Sequence, residues 1–556
     1  MKNLSWLIFT VFSILFLASC GGNENEAAQE EGETDGENIS VSFRTAGDAE
    51  CTGMELGCLR TQMTAVSFQI KDSNGETVFQ KLMKSGEIKS KMKFTGIKNT
   101  ENATLLVSVF GKTDGVEDLD NPKWEGKATG LNFEEGKTTS VLILLYPKEV
   151  QSKEISMPEG LIIPRFGHTS TVLADGRILI AGGFTACYSN GKCPATETVE
   201  IIDLESGKVE TLSTSMIEKR AMHTAIALKD GSVLFIGGVQ TLGVNLQEES
   251  FPGYPQMRFV PSTASVTIEK YMPLYPKYNM KTNDFGTPID NTSESVITSE
   301  EIPFSAFQSV ITERVSENQI DVFLVGGLDE KGKPSGKSYK FTITESEDGT
   351  VSVGDLEELK ESSEPMLLPA LAYRNGSIIA AGGRPTDSKY GASIISKSES
   401  TDFGTAKDNT FFMKGLSMDG NLYTFGGYGI KDGSLAESNF NKISKWNASG
   451  VETAETGLLT YSNNIVFPEV IYDNKNKRFL VIGGTNAANI QQVVDPETLK
   501  LQKDQSHTMT DKRIMPSAVI VPEGLIGDKP AIVITGGTSA LDSTGSAVKT
   551  IKINNL

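Results

Sequence analysis

The sequence predicts an all-β chain in which a small β-sandwich precedes a sevenfold repeat of short β units. Three observations carry this. A hydrophobic run ending in a glycine pair recurs seven times between residues 151 and 556, at Gly182-Gly183, Gly237-Gly238, Gly326-Gly327, Gly382-Gly383, Gly426-Gly427, Gly483-Gly484 and Gly536-Gly537. Before it, seven short runs of alternating or β-branched residues crowd into residues 39–150. With 54 glycines and only 22% charged residues, the composition fits many short elements joined by turns and neither a coiled coil nor a disordered chain.

The start of the chain comes first. Lys2 precedes an apolar run from Leu4 to Ala18. Fifteen residues fall short of the roughly 20 that cross a bilayer, so residues 1–19 read as a signal peptide. Leu17-Ala18-Ser19-Cys20 resembles the bacterial lipobox. The resemblance implies that Cys20 becomes the lipidated, palmitate-bearing N-terminus of an envelope lipoprotein, stably anchored because it carries several acyl chains. Gly21 in the next position implies sorting to the outer membrane of a Gram-negative cell, or to its surface. Residues 20–38 hold seven carboxylates and no basic residue, too polar to bury a core. They read as a solvated tether, with an acidic surface-export tag as the sharper alternative. The whole chain carries −19, which repels phosphate backbones and excludes nucleic acid as a partner.

Residues 39–150 carry the runs Ile39 to Arg44, Ala65 to Lys71, Thr77 to Leu82, Lys91 to Phe94, Ala103 to Phe110, Ala128 to Phe133 and Thr138 to Leu145. Seven strands in this length fit an immunoglobulin-like sandwich. Asn74-Gly75 reads as a type I′ hairpin turn, whose two central positions both need positive φ. The carboxylate-rich loop Asp114 to Asn121 reads as a solvated turn or as a fragment of a calcium-binding loop. Apart from Cys20 the chain holds Cys51, Cys58, Cys187 and Cys193. An exported chain with an even remainder reads as two disulfides, expected as Cys51–Cys58 and Cys187–Cys193. Neither pair has the spacing or the nearby His that zinc wants.

In residues 151–556 the first glycines of successive pairs lie 55, 89, 56, 44, 57 and 53 residues apart. Asp175-Gly176, Asp230-Gly231, Asn375-Gly376 and Asp419-Gly420 each place a Gly six residues before the pair. The pattern is a tight hairpin feeding one buried strand, repeated. It resembles the kelch-repeat β-propellers, the galactose oxidase-like class, over about 400 residues, and the resemblance implies seven blades. The family's later Tyr and Trp marks are mostly absent, Trp446 being the best candidate. The last unit stops one strand short. The segment from Lys153 to Arg165 resembles the end of the first full unit, Lys208 to Arg220, and so is expected to complete the last blade and seal the ring.

Strand alternation puts every loop that follows a glycine pair on one face. The second such loop is an insertion of roughly forty to sixty residues, longer than ordinary loops. It contains Tyr254, Phe259, Tyr271 and Tyr275 and reads as a packed lid or binding surface, or as a cover for its own blade. Arg165, Arg220 and Arg513 each precede an innermost strand, two of them in Arg-x-x-His with His168 and His223. Two readings are open: a ring of guanidinium forks for an anionic glycan or acidic peptide, or ties between blades. The run Asp355, Glu357, Glu358, Glu361 and Glu364 is expected on an exposed outer strand. With three His in the chain and no catalytic motif, the sequence assigns no catalytic residue, metal or cofactor. It implies a lipid-anchored module that binds a protein or glycan through its loop face. The alternatives are a carbohydrate-active enzyme, sialate-mutarotase-like or oxidase-like, in the channel mouth, or a purely structural envelope protein.

Overall fold

The computed structural model describes residues 37–47, 59–148 and most of 154–555. Residues 1–36, 48–58, 149–153, 246–257, 260–266, 274–292, 298–304, 437–441 and 454–464, with several runs of three or fewer, lie outside the described residues. The signal peptide, Cys20, nearly all of the tether, Cys51 and Cys58 fall there.

Seven antiparallel sheets form a β-propeller. Blade 1 is Thr169–Val172, Ile178–Ala181, Val199–Asp203 and Lys208–Thr211, hydrogen-bonded in chain order from the channel outward. Blades 2 to 7 begin with Thr224–Ala227, Ser309–Ser316, Ala370–Arg374, Lys414–Met418, Glu469–Asp473 and Ser517–Val521. Each second strand is the hydrophobic run seen in the sequence. Ile178–Ala181, Val233–Ile236 and Ala531–Thr535 are buried at every position. A strand covered on both faces by neighbouring blades needs a continuous apolar run instead of alternation.

Blade 7 closes as expected. Its third strand, Lys552–Asn555, pairs with Ile155–Ser156, with Lys552 opposite Ser156 and Ile553 opposite Ile155. The N-terminal segment thus supplies the outermost strand of the last blade, and the seam of the ring lies there.

The N-terminal strands form one hydrogen-bonded path: Thr77–Lys84, Ala65–Lys71, Thr100–Thr113, Trp124–Phe133, Thr139–Pro147, Glu37–Thr45, Lys91–Thr95. Trp124–Phe133 and Thr139–Pro147 pair only through Trp124↔Pro147 and Glu125↔Tyr146, so the path folds over at that corner. Its two ends meet in the core, where Phe79 and Phe94 lie 5.6 Å apart and Phe68 and Phe94 4.7 Å. Glu37–Thr45 runs parallel to Thr139–Pro147.

Two local expectations are refined. At the 72–76 hairpin Gly75 has φ 86 while Asn74 stays out of the left-handed region. The ladder slips between Ile70 and Lys71, so the turn is not type I′ but the bulged kind with one left-handed Gly. In the 114–121 loop the Asp118 carboxylate accepts from Asn121 Nδ2, Thr113 Oγ1 and the N–H groups of Asp120 and Asn121. Hydrogen bonding from the Asn121 and Thr113 side chains draws its pKa down to about 2. The carboxylate serves its own turn, in line with the solvated-turn reading.

Candidate functional site

The glycine pairs explain how the blades are held. The N–H of Gly183 in blade 1 donates to the carbonyl of Arg220 in blade 2 at 2.7 Å, and Gly537 in blade 7 donates to Arg165 in blade 1 at 2.8 Å. A Cβ on Gly182 would sit 2.2 Å from the Arg220 oxygen, and one on Gly536 would sit 2.3 Å from that of Arg165. Both members of each pair have positive φ, so conformation and space alike demand glycine.

The three arginines predicted at the mouth are buried. Arg165, Arg220 and Arg513 have no exposed surface, which corrects their candidacy as ligand-binding forks. Each donates Nη1 to the carbonyl of the first glycine of its own blade: Gly182 at 2.7 Å, Gly237 at 2.8 Å and Gly536 at 2.6 Å. Each also donates to the carbonyl of the Thr that leads into the third strand, namely Thr198, Thr267 or Thr550, at 2.8–3.0 Å. Arg165 pairs with the fully buried Glu200 at 2.5 Å. Glu200 also accepts from the N–H groups of Ile162 and Ile163. Arg220 meets Glu218 and Glu269, and Arg513 meets Asp511. Burial draws all three guanidinium pKa values down while the neighbouring carboxylates oppose it. These side chains satisfy carbonyls that would otherwise be buried unpaired.

The histidines serve the same junctions. His168 Nε2 shares a hydrogen bond with Thr535 Oγ1 at 2.8 Å, and His223 Nε2 with Thr169 Oγ1 at 3.0 Å. Burial draws both imidazole pKa values down, His223 to about 3, and neighbouring arginines add to the effect. Both rings are therefore neutral at pH 7. Their Nδ1 atoms are buried without a hydrogen-bond partner among the described residues.

A ring not singled out from the sequence lies at the loop-face end of the channel. Gly167, Met222, Phe307, Leu368, Phe412, Phe467 and Met515 occupy one equivalent position in the seven blades, just before the innermost strand. All have left-handed backbone, with φ between 49 and 63. The ring is joined by N–H to carbonyl bonds from blade to blade: Met222 to Gly167 at 2.7 Å, Leu368 to Phe307 at 2.9 Å, Phe467 to Phe412 at 3.3 Å, Met515 to Phe467 at 3.1 Å and Gly167 to Met515 at 2.9 Å. A left-handed position costs an L-residue about 1–2 kcal/mol. Six bulky apolar residues accept it, forming a collar in which the Phe412 and Phe467 rings lie 5.2 Å apart. The signal was present in the sequence: two residues after each Arg stands Gly167, Met222 or Met515.

Below the collar the channel encloses about 700 Å³, with wall residues from all seven innermost strands. Its wall bonds run around the ring. Ser309 Oγ donates to Pro369 O at 2.7 Å, and Lys414 Nζ donates to Glu469 Oε2 at 2.9 Å.

The loop face carries sheets that the blades do not need. Lys192–Pro194 pairs with Thr241–Asn245, which pairs in turn with Arg258–Phe259. A second added sheet joins Thr410–Phe411, Tyr428–Lys431 and Ser434–Ala436. Cys187 and Cys193 form a disulfide, and this clip holds the loop whose Cys193 faces Leu242 in register. Cys193 and Leu242 are buried in one apolar cluster with Phe166, Phe184 and Phe307. Phe259 lies on the first added sheet, its side chain outside the described residues, as are Tyr254 and Tyr275 altogether.

Tyr271 is corrected. It ends the third strand of blade 2, Ile268–Tyr271, is fully buried, and donates its hydroxyl to Thr214 O at 2.7 Å. Among the described residues the aromatics exposed on the loop face are Tyr188, inside the disulfide loop, and Tyr390, neither singled out from the sequence. Of the acidic run, Glu357–Glu358 forms a short outer strand, whereas Glu364 reaches the buried Arg384 at 3.2 Å.

No family model matches the chain, and no curated protein matches it. Among solved structures, one titled "Structure of YjhT" aligns with 63% of this chain and 94% of that chain, at 12% sequence identity and a TM-score of 0.34.

Proposed function

We propose that the protein is a lipid-anchored lipoprotein of the bacterial envelope, held at the outer membrane or cell surface through Cys20. Its kelch-like propeller binds a protein or glycan through the loop face. One observation supports this most: both added sheets lie on the loop side of the ring, built from post-glycine loops and, in the second, from the connection into blade 5, beyond what the blades require. Elaborated loops on a rigid scaffold are where binding residues concentrate. The exposed Tyr188 and Tyr390, with the partly exposed Met222, Leu368 and Phe467 of the collar, supply apolar and aromatic surface of the kind that anchors sugars and protein side chains.

The test is a glycan array and a panel of purified envelope proteins, probed with the chain from residue 21 onward. A second protein has residues 246–266 replaced by a short Gly-Ser linker, leaving the third strand of blade 2 intact, and a third carries Tyr188→Ser and Tyr390→Ser. Saturable binding lost in either variant, with thermal stability kept, supports the reading. Binding that both variants retain would move it elsewhere, and turnover of a sugar would favour the enzyme alternative. Anchoring is tested separately: Cys20→Ser must shift the protein from the membrane to the soluble fraction and abolish palmitate labelling.

A further inference from the structure

Blade 7 ends in an outer strand of only two residues, Ile155–Ser156, a short edge on which the whole ring depends. Its free side is covered from outside the propeller. Gly47, just past the strand Glu37–Thr45, exchanges both backbone bonds with Ser156: Gly47 N–H to Ser156 O at 3.1 Å and Ser156 N–H to Gly47 O at 2.6 Å. The N-terminal β domain thus adds a rung to the sheet of blade 7 and removes its open edge.

The same end of the domain grips blade 1. Leu144 N–H donates to Glu205 O at 2.6 Å, and Tyr146 Oη donates to Leu204 O at 2.6 Å. Thr129 gives its N–H and its hydroxyl to the two carboxylate oxygens of Glu205, at 3.0 and 2.8 Å. Arg44 Nη1 donates to Glu159 Oε1 at 2.8 Å and to Gly207 O at 3.1 Å. Between these polar contacts the apolar core is continuous. Ala46, Leu144 and Tyr146 belong to one buried cluster with Ile155 and Ile553 of blade 7 and Ile178 of blade 1.

We propose that the N-terminal β domain is a clasp across the seam of the propeller, so that its undocking and the release of strand Ile155–Ser156 are one event. Glu37–Thr45 runs into this junction. At about 3.3 Å per residue its first residue stands roughly 26 Å away, so any load on the tether reaches the ring at its closure. The clasp stands whether or not the loop face binds a ligand.

Native-state hydrogen exchange on the mature chain tests it in rising denaturant. Leu144 N–H reports docking, while Met157 N–H, bonded to Ile551 O, and Leu161 N–H, bonded to Lys549 O, report the closed seam. The clasp requires these three amides to merge into one opening isotherm, with Ile379 and Ala380 of blade 4 remaining on a slower one. Arg44→Met with Glu205→Ala must then speed exchange at all three at least tenfold and leave blade 4 unchanged. Three results would overturn the proposal: separate isotherms in the unmodified protein, faster exchange at Leu144 alone, or no change in the double variant.

Discussion

At the junctions into blades 7, 1 and 2 the carbonyl that accepts the glycine N–H belongs to Arg513, Arg165 and Arg220, at 2.9, 2.8 and 2.7 Å. At the junctions into blades 4, 5 and 6 it belongs to Met366, Thr410 and Ile465, at 2.8, 2.8 and 2.6 Å. The backbone tie is the same and the side chain is not. The third strands follow suit. Glu200 and Glu269 serve the arginines of blades 1 and 2, and Lys552 lies 3.9 Å from Asp511 in blade 7. The corresponding positions in blades 4, 5 and 6 are Ser393, Ser444 and Gln492. Ring geometry therefore belongs to the paired glycines and the main chain, while the arginine locks are an addition concentrated around the seam.

The contrast can be broken first at the locks. Arg165→Ala leaves Glu200 buried and uncompensated, and is expected to lower unfolding free energy by about 3–5 kcal/mol in urea titration. Replacing both, Arg165→Met with Glu200→Leu, should recover most of that loss, since buried ion pairs are often matched by apolar packing. A double variant as unstable as the single one would make the charge pair itself essential.

Next comes pH. His223 titrates near 3 when folded against a reference of 6.5, so the unfolded chain binds more protons between those values and stability falls as pH drops below about 6.5. At pH 5 His223 alone accounts for about 2 kcal/mol. His223→Gln should flatten that part of the stability profile between pH 7.5 and 5, and an unchanged slope would place the sensitivity elsewhere.

Gln492 of blade 6 is fully buried, with neither side-chain polar atom hydrogen-bonded among the described residues. Gln492→Met removes two unsatisfied groups at similar volume and should raise stability by about 1 kcal/mol in the same titration. The smallest effect belongs to Lys414→Met, which removes a partly exposed ion pair with Glu469 and should stay within about 1 kcal/mol of the parent.

What was legible in the sequence follows the same division. Blade number, the Asp-Gly hairpins and closure by the segment around Ile155 rest on local signals, a glycine pair after a buried run and a repeat of the first unit's ending. The arginines were located correctly along the chain, but spacing does not tell an outward fork from an inward one. That choice is made by Glu200, a residue 35 positions away. Tyr271 was read as part of a lid because the long spacing between the second and third glycine pairs hides a regular third strand between two loops. The collar escaped because its mark is the sign of φ at a single position, occupied by Gly, Met, Phe and Leu, and a preceding Arg marks that position only in blades 1, 2 and 7. Arg384 and Asp402 escaped because blade 4 places its arginine after the glycine pair, and for the same reason Glu364, expected on an exposed outer strand, is instead the partner of that buried arginine.

The most direct test of backbone control is to make Gly182→Ala and Gly426→Ala in parallel. The first would bring a Cβ to 2.2 Å from Arg220 O and the second to 2.1 Å from Ile465 O. Chemical unfolding should show both variants losing stability by amounts that agree within about 1 kcal/mol, since strain and clash are alike at the two sites. A severe loss at Gly182 beside a mild one at Gly426 would contradict the account and make the arginine lock the determinant of the junction.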